Sequence, residues 1–313
     1  MAKDPSNTAR AAVDVVGVGR VSWDRFIVVP RIPSPNERVK AIRTEEIVGG
    51  ISTTALIALR RWKLRCRLVS RIGFDEHSQR IIDDLTQEGI ETDALHRRED
   101  VEGLENIILI DHRNGQRAVV DDPRQGPVID WLVQEQLWTK WFDQARLLHV
   151  EISPAILESG LLESAKQAGM KVVACLDHPL DHRHLKSLRH VDWAMADAWT
   201  AAEWTKETDP SRAAYAMQVL LEVPTVVYSV TEGAHYASGR QTLFQAGVDV
   251  PLVDRTGSGA VFQAGFMYGQ LSAWDVARCL RLATWAAGMA CREIGGRKGI
   301  PSDSQMKQFL VQE

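Results

Sequence analysis

The chain has 313 residues, of which 45% are hydrophobic and 25% charged, a balance typical of a globular protein with one large domain or one large and one small domain. Its net charge of −4 at pH 7 offers no basic surface to nucleic acid, and no apolar run approaches the ~20 residues that a membrane helix needs. Residues 1–10 lack the apolar core of a signal peptide and are predicted to be disordered, so with four widely spaced cysteines we expect a cytoplasmic protein without a membrane partner.

The first elements predicted along the chain are two strands and two helices. Val13–Val18 is a β-branched apolar run and predicts a buried strand. Helical spacing follows over Ile51–Trp62 and Glu76–Glu88, and an apolar run between them predicts a strand over Leu68–Ile72. This order is the beginning of an α/β pattern.

Two strand-rich patches, near residues 20–43 and 101–121, interrupt that pattern. The strands predicted there are Phe26–Val29 and Arg38–Ile42 in the first patch, and Asn106–Asp111 and Gln116–Val120, around the hairpin dipeptide Asn114-Gly115, in the second. Because neither patch follows a strand–helix rhythm, we interpret them as two insertions that form a small separate sheet.

Strands and helices alternate from residue 147 onward. The predicted strands are Leu147–Val150, Val172–Leu176, Asp192–Met195 and Thr225–Val230. The predicted helices are Ala155–Ala168, Thr200–Lys206, Arg212–Leu221, Ser258–Tyr268 and Trp274–Cys291. The alternation predicts a doubly wound, mostly parallel α/β sheet with helices on both faces, so that residues 11–313 form one domain with two insertions.

The most informative segment lies just before the helix at Ser258. Gly257, Ser258 and Gly259 directly precede an apolar helical run, so bare backbone N–H groups are predicted at the helix N-terminus. Such an end favours anions, because its amides have no partner within the helix and the helix dipole is positive there.

The segment from Asp254 to Phe262 resembles the second signature of the ribokinase-like (PfkB) carbohydrate kinases, D-T-T-G-A-G-D-A-F. The resemblance implies a ribokinase-like fold in which the two insertions form a β-lid, often also a dimer surface. It implies ATP-dependent phosphoryl transfer to the hydroxyl of a sugar or sugar-like alcohol, with the small residues forming an oxyanion pocket. The last Asp of the signature is the base that removes the proton, and here it is Ala260.

A kinase without this base should be slow, because general base catalysis contributes about 10²–10⁴-fold. Two histories are compatible with Ala260: an engineered substitution in an active kinase, or natural divergence to a pseudokinase that binds a sugar or nucleotide as a scaffold. Both alternatives stay open at this point.

The first PfkB signature is also recognisable, as a glycine pair before a helix. Gly49 and Gly50 are similar to that pair, which lets backbone amides approach sugar hydroxyls, and Thr54 stands where the family has Asn. Asp24, after the first strand, matches an Asp that accepts hydrogen bonds from two sugar hydroxyls. Arg117, in the second patch, is a candidate to reach an anionic group on the substrate.

Further positions are assigned by the same resemblance. Thr231 and Gly233 are similar to a T-x-G turn that contacts ATP, and Asp197 lies where an Asn helps to organise Mg²⁺ through water. Asp254 matches a position near a monovalent-cation site, which suggests K⁺.

A nicotinamide-dependent oxidoreductase is a third hypothesis, since Gly17-Val18-Gly19 follows a strand. It is disfavoured because the next residues read as extended, with no helix to receive a pyrophosphate.

Overall fold

The computed structural model describes residues 13–124, 137–142 and 145–312. The predicted disorder of residues 1–10 lies outside the described residues. Thirteen strands in this part of the chain form a large sheet and a small sheet.

The large sheet has nine strands in the described part of the chain, in the order β13-β12-β11-β10-β9-β8-β1-β4-β5. In chain order these are β1 Val15–Val18, β4 Cys66–Ile72, β5 Leu95–Arg97, β8 Leu147–Glu151, β9 Lys171–Leu176, β10 Trp193–Asp197, β11 Thr225–Ser229, β12 Gly233–Ser238 and β13 Gln241–Ala246. The strands pair in parallel except β12 and β13, which add an antiparallel edge.

Helices cover both faces of the large sheet. They are α1 Ile51–Arg61, α2 Glu76–Gln87, α3 Pro154–Glu158, α4 Leu161–Gln167, α5 Ala198–Thr205, α6 Pro210–Leu221, α7 Ser258–Leu271, α8 Val276–Ala290 and α9 Asp303–Gln312. Successive strand residues point to opposite faces, so Val16 and Leu148 pack under α3, α4 and α6, whereas Val15 and Leu147 pack under α1, α7 and α8. Burial on both faces explains why these strands are nearly continuous apolar runs.

The small sheet contains β2 Ser22–Val29, β3 Arg43–Gly49, β6 Leu104–Asp111 and β7 Arg117–Val120, in the order β3-β2-β6-β7. β2 pairs in parallel with β6, and the two outer pairs are antiparallel. Both strand-rich patches of the sequence therefore meet in one sheet.

Two predicted elements are wrong. The first is the strand at Arg38–Ile42, because the chain there is irregular and the strand begins at Arg43. The second is the single helix over Ala155–Ala168, which breaks into α3 and α4 where Gly160 takes a left-handed conformation with φ 79°. The edge strands β12 and β13 and the helix α9 were not predicted.

The four cysteines are free and buried, as predicted. Burial raises the pKa of the Cys291 thiol to about 11, so this group stays protonated at neutral pH. Among the residues that the structure describes, no helix is both long and apolar enough to cross a lipid bilayer.

Candidate active site

A cavity of about 420 Å³ lies between the small sheet and the carboxyl ends of β10 and β11 in the large sheet. The edge formed by strand carboxyl ends is where open α/β sheets bind ligands. Ten of the residues singled out in the sequence line this cavity: Asp24, Gly49, Gly50, Thr54, Arg117, Asp197, Gly257, Ser258, Gly259 and Ala260. The structure therefore brings both signature segments to one place.

The glycine turn, Thr256–Gly259, is held by a buried carboxylate beneath it. Asp254 is fully buried, and its Oδ1 accepts hydrogen bonds from the amide and hydroxyl of Thr256 at 2.9 and 2.8 Å. Its Oδ2 accepts from the amide of Gly295 at 2.7 Å. Asp254 is thus occupied in fixing the turn and is not part of the cavity wall; its role towards K⁺ stays a prediction.

Backbone geometry at the start of α7 requires small residues. Gly257 has φ 77°, and a Cβ placed on it would lie 2.8 Å from the carbonyl oxygen of Gly295. A Cβ on Gly259 would lie 2.8 Å from the hydroxyl of Tyr228. The turn therefore lines the cavity with small residues, and the first-turn amides have no partner within the helix.

Ala260 lies in the first turn of α7 and is 4% exposed, and it lines the cavity. A methyl group at this position can neither accept nor donate a proton. The position predicted for the base therefore faces the cavity without a titratable group.

Asp24 is fixed by two neighbours on the small sheet. Its Oδ1 accepts from the hydroxyl of Ser22 at 2.7 Å and from the amide Nδ2 of Asn106 at 2.9 Å. Burial raises the pKa of the Asp24 carboxyl, and these two hydrogen bonds oppose the rise. A Cβ on Gly49 would lie 1.8 Å from Asp24 Oδ2, so glycine leaves that oxygen its space.

The helix α1 begins directly after the glycine pair. Gly50 has φ 109°, and a Cβ on it would lie 2.2 Å from the carbonyl oxygen of Arg20, so no other residue fits. Thr54 follows one turn later, with its amide bonded to the Gly50 carbonyl at 2.9 Å, and it lines the cavity.

Asp197 caps α5 from the end of β10. Its Oδ1 accepts from the amide of Thr200 at 2.7 Å, which leaves the other carboxylate oxygen to the cavity. Among the described residues, no group of three or more His, Cys, Asp or Glu side chains is placed to hold a metal ion. Thr231 and Gly233 do not line the cavity, although Ser229 and Val230 directly before them do.

A buried polar network connects the cavity to the centre of the large sheet. The hydroxyl of Tyr228 accepts from Gln263 Nε2 at 3.1 Å, and Gln263 Oε1 lies 2.6 Å from Nε2 of His149. Nδ1 of His149 lies 3.0 Å from the hydroxyl of Ser52. Burial lowers the pKa of His149 to about 4, so the ring is neutral and donates from Nε2.

The cavity residues that were missed in the sequence include Asn106, Tyr228, Arg255 and Thr284. A signal existed for two of them. Asn106 is a polar residue within an apolar strand, and Arg255 replaces the first Thr of the second signature. Tyr228 and Thr284 carry no distinguishing pattern.

The dinucleotide hypothesis does not agree with the structure. After Gly19 the chain enters the strand β2 rather than a helix. The side chain of Arg20 instead forms an ion pair with Asp177 at 3.3 Å. There is no helix N-terminus at this point to receive a pyrophosphate.

Comparison with known proteins agrees with this geometry. The family model described as pfkB family carbohydrate kinase matches residues 13–303, so the chain belongs to this family. An uncharacterised sugar kinase of Archaeoglobus fulgidus is 26% identical over 258 residues, which cover 78% of this chain and 98% of the relative.

Solved structures confirm the ribokinase-like α/β fold. A putative ribokinase from Agrobacterium tumefaciens superposes with a TM-score of 0.82 at 21% identity, over 96% of this chain and 98% of that one. The ribokinase of Arabidopsis thaliana, solved in complex with ribose and ATP, superposes with a TM-score of 0.77 at 18% identity, over 96% and 99%.

Proposed function

We propose that this chain is an ATP-dependent kinase for a sugar or sugar-like alcohol, and that its turnover is slow because Ala260 replaces the general base. The observation that carries the proposal is that Asp24 and the glycine turn line one cavity. An acceptor for hydroxyl groups and a cradle for an anion are the two parts that phosphoryl transfer to an alcohol requires.

The sugar would bind against the small sheet. The free Oδ2 of Asp24 can accept from one sugar hydroxyl, and Asn106 keeps the carboxylate in position. Gly49 and Gly50 let the backbone approach the sugar, and Thr54 offers a single hydroxyl.

The phosphates of ATP would bind at the start of α7. The first-turn amides after Gly257 would stabilise the charge that develops on the transferred group. Thr284 Oγ1 is buried on the cavity wall without a hydrogen-bond partner among the described residues, so it is free to contact a bound nucleotide.

Three further assignments complete the nucleotide side of the proposal. Thr231 and Gly233 would contact ATP beside the cavity wall. Asp197 would hold Mg²⁺ through water, because this ion keeps most of its waters and needs few carboxylates. Asp254 would support a K⁺ site through the turn that it fixes.

A product screen tests this proposal. The chain is incubated with MgATP and a panel of sugars, and mass spectrometry is used to detect a sugar phosphate formed together with ADP. We expect slow formation of product with at least one sugar, and about 10–100-fold less product at low sugar concentration when Asp24→Asn is used. A chain that neither binds MgATP in calorimetry nor forms any product would contradict the proposal.

Ala260 also favours a second candidate, a pseudokinase that binds the same ligands without turnover and acts as a scaffold. One experiment distinguishes the pseudokinase from the slow kinase. A scaffold protein binds MgATP or a sugar in calorimetry but yields no product, even when a carboxylate is restored at position 260.

We further propose a homodimer through the small sheet. Val120 lies on its edge strand β7 and is 58% exposed, which is unusual for a large apolar residue. Light scattering would distinguish a dimer from a monomer, and Val120→Lys should shift a dimer towards monomer.

A further inference from the structure

Two guanidinium groups line the cavity and have no acidic partner among the described residues. Arg117 begins β7 of the small sheet, and Arg255 directly follows the buried Asp254. Neither lies within 4 Å of a carboxylate oxygen of any described residue. By contrast, Arg113 and Arg124, on either side of Arg117 in the chain, pair with Asp111 and Asp122 respectively.

The fold brings the two arginines to the same side of the cavity. The tip of the β6–β7 hairpin packs against the segment before the glycine turn: a Cβ on Gly115 would lie 3.0 Å from the carbonyl oxygen of Val253. Arg117 comes two residues after this contact in one segment, and Arg255 comes two residues after it in the other. Both positive charges also act on the Cys291 thiol, where they oppose the rise in its pKa.

Arg255 is costly to the protein in its present state. Its Nε is buried and has no hydrogen-bond partner among the described residues. A buried donor without an acceptor destabilises the folded protein, and more so when it is charged. A ligand anion at this point would supply the acceptor that the protein lacks.

The position of Arg117 indicates which ligand carries the anion. It lies opposite Ile110 in the sheet, and Asn106 stands four residues earlier on the same face of β6. Four residues of strand span about 13 Å. Arg117 therefore lies on the same face of the small sheet as Asn106, and both residues line the cavity.

We propose that the acceptor substrate is itself anionic, a sugar phosphate or sugar acid whose charged group binds to Arg117 and Arg255. The planar guanidinium group matches phosphate and carboxylate oxygens with two parallel hydrogen bonds. This inference rests on the proposed function, because it names the substrate class of the same cavity.

Calorimetry without nucleotide tests the inference with matched probes: glucose 6-phosphate against glucose, ribose 5-phosphate against ribose, and gluconate against sorbitol. We expect at least one anionic member to bind at least ten times more tightly than its neutral counterpart. Arg117→Gln and Arg255→Gln should each weaken that binding by about 10–100-fold, since a hydrogen bond to a charged group contributes about 1.5–3 kcal/mol.

Arg240→Gln is the matched control. It removes the same charge from an exposed arginine in the β12–β13 turn, outside the cavity. The Arg240→Gln variant should bind the anionic probes as tightly as the unaltered chain does. Arg117 is exposed, so its variant should fold even where that of Arg255 does not.

Two results would overturn the inference: equal or absent binding of all three anionic probes, or arginine variants that weaken only the binding of MgATP. Failure of the kinase proposal is a separate result. If the anions bind through these arginines but no variant phosphorylates them, the anionic ligand class is supported and the kinase reaction is contradicted.

Discussion

Asp24 shows how much of a site a single residue can reveal. Its position after the first strand, together with the family resemblance, was sufficient to predict that it faces the cavity. Its partner Asn106 could not be predicted, because 82 residues separate the two and the hydrogen bond forms only when β2 and β6 pair. Short-range sequence patterns carry no information about such a contact.

Replacing Asp24 with Asn should weaken sugar binding more than it affects folding. The variant places an amide where a carboxylate accepts hydroxyl donors, so we expect about 10–100-fold weaker binding of the sugar that the product screen identifies. The free energy of unfolding should change little, because burying the charged carboxyl is itself unfavourable, as its raised pKa indicates.

Calorimetry and urea denaturation measure the two effects. Asp83→Asn, at an exposed position on α2, is the matched control and should leave sugar binding unchanged. If Asp24→Asn binds the sugar as tightly as the unaltered chain, Asp24 is not a sugar ligand.

Among the elements, α7 and the turn before it form the proposed anion cradle. The helix and its small N-terminal residues were predictable from Gly257 to Gly259 alone. The sequence did not show that the Gly295 carbonyl closes over the turn, because that contact joins segments 38 residues apart. The start of β3 was also misplaced, because the strand is defined by its pairing with β2, which begins at Arg43.

Gly257→Ala should destabilise the protein more than Gly160→Ala does. Both residues have a left-handed φ, 77° and 79°, so both substitutions cost about 1–2 kcal/mol in backbone strain. A Cβ on Gly160 meets nothing within 4 Å, whereas one on Gly257 would collide with the Gly295 carbonyl.

Urea denaturation of the two variants measures the difference, which we expect to be at least ~1 kcal/mol in the free energy of unfolding. Equal values would mean that the turn can relax, and that its close packing does not define the anion cradle.

For the whole molecule, the large sheet was predictable because its apolar strands alternate with helices. The edge strands β12 and β13 were missed, because β12 is made of small and polar residues and β13 is largely exposed, so neither is an apolar run. The network from Ser52 through His149 and Gln263 to Tyr228 runs along one face of the large sheet and was also missed. Each of its members looks ordinary in the sequence, and only the fold brings them together.

His149 should make the stability of the whole protein depend on pH. Its folded pKa of about 4 lies below the ordinary 6.5, so the unfolded chain takes up a proton first as the pH falls. The free energy of unfolding should therefore decrease between pH 6.5 and pH 4, by about 2 kcal/mol from pH 7.5 to pH 4.5.

Urea denaturation at these two pH values, for the unaltered chain and for His149→Asn, isolates this contribution from the other titrating groups. The variant should lose about 2 kcal/mol less over the same interval. An identical pH dependence in both proteins would show that His149 is protonated in the folded state as readily as in the unfolded chain.

The central claim is that this cavity is a sugar-kinase site that lacks its proton acceptor at position 260. Its most direct test is the turnover number of Ala260→Asp beside that of Ala260→Asn, which has the same size without a base. An Asp in the first turn of α7 also suits the helix dipole, so the variant should fold. We predict that Ala260→Asp exceeds the unaltered chain by about 10²–10⁴-fold and that Ala260→Asn does not. Equal rates for all three proteins would contradict the claim.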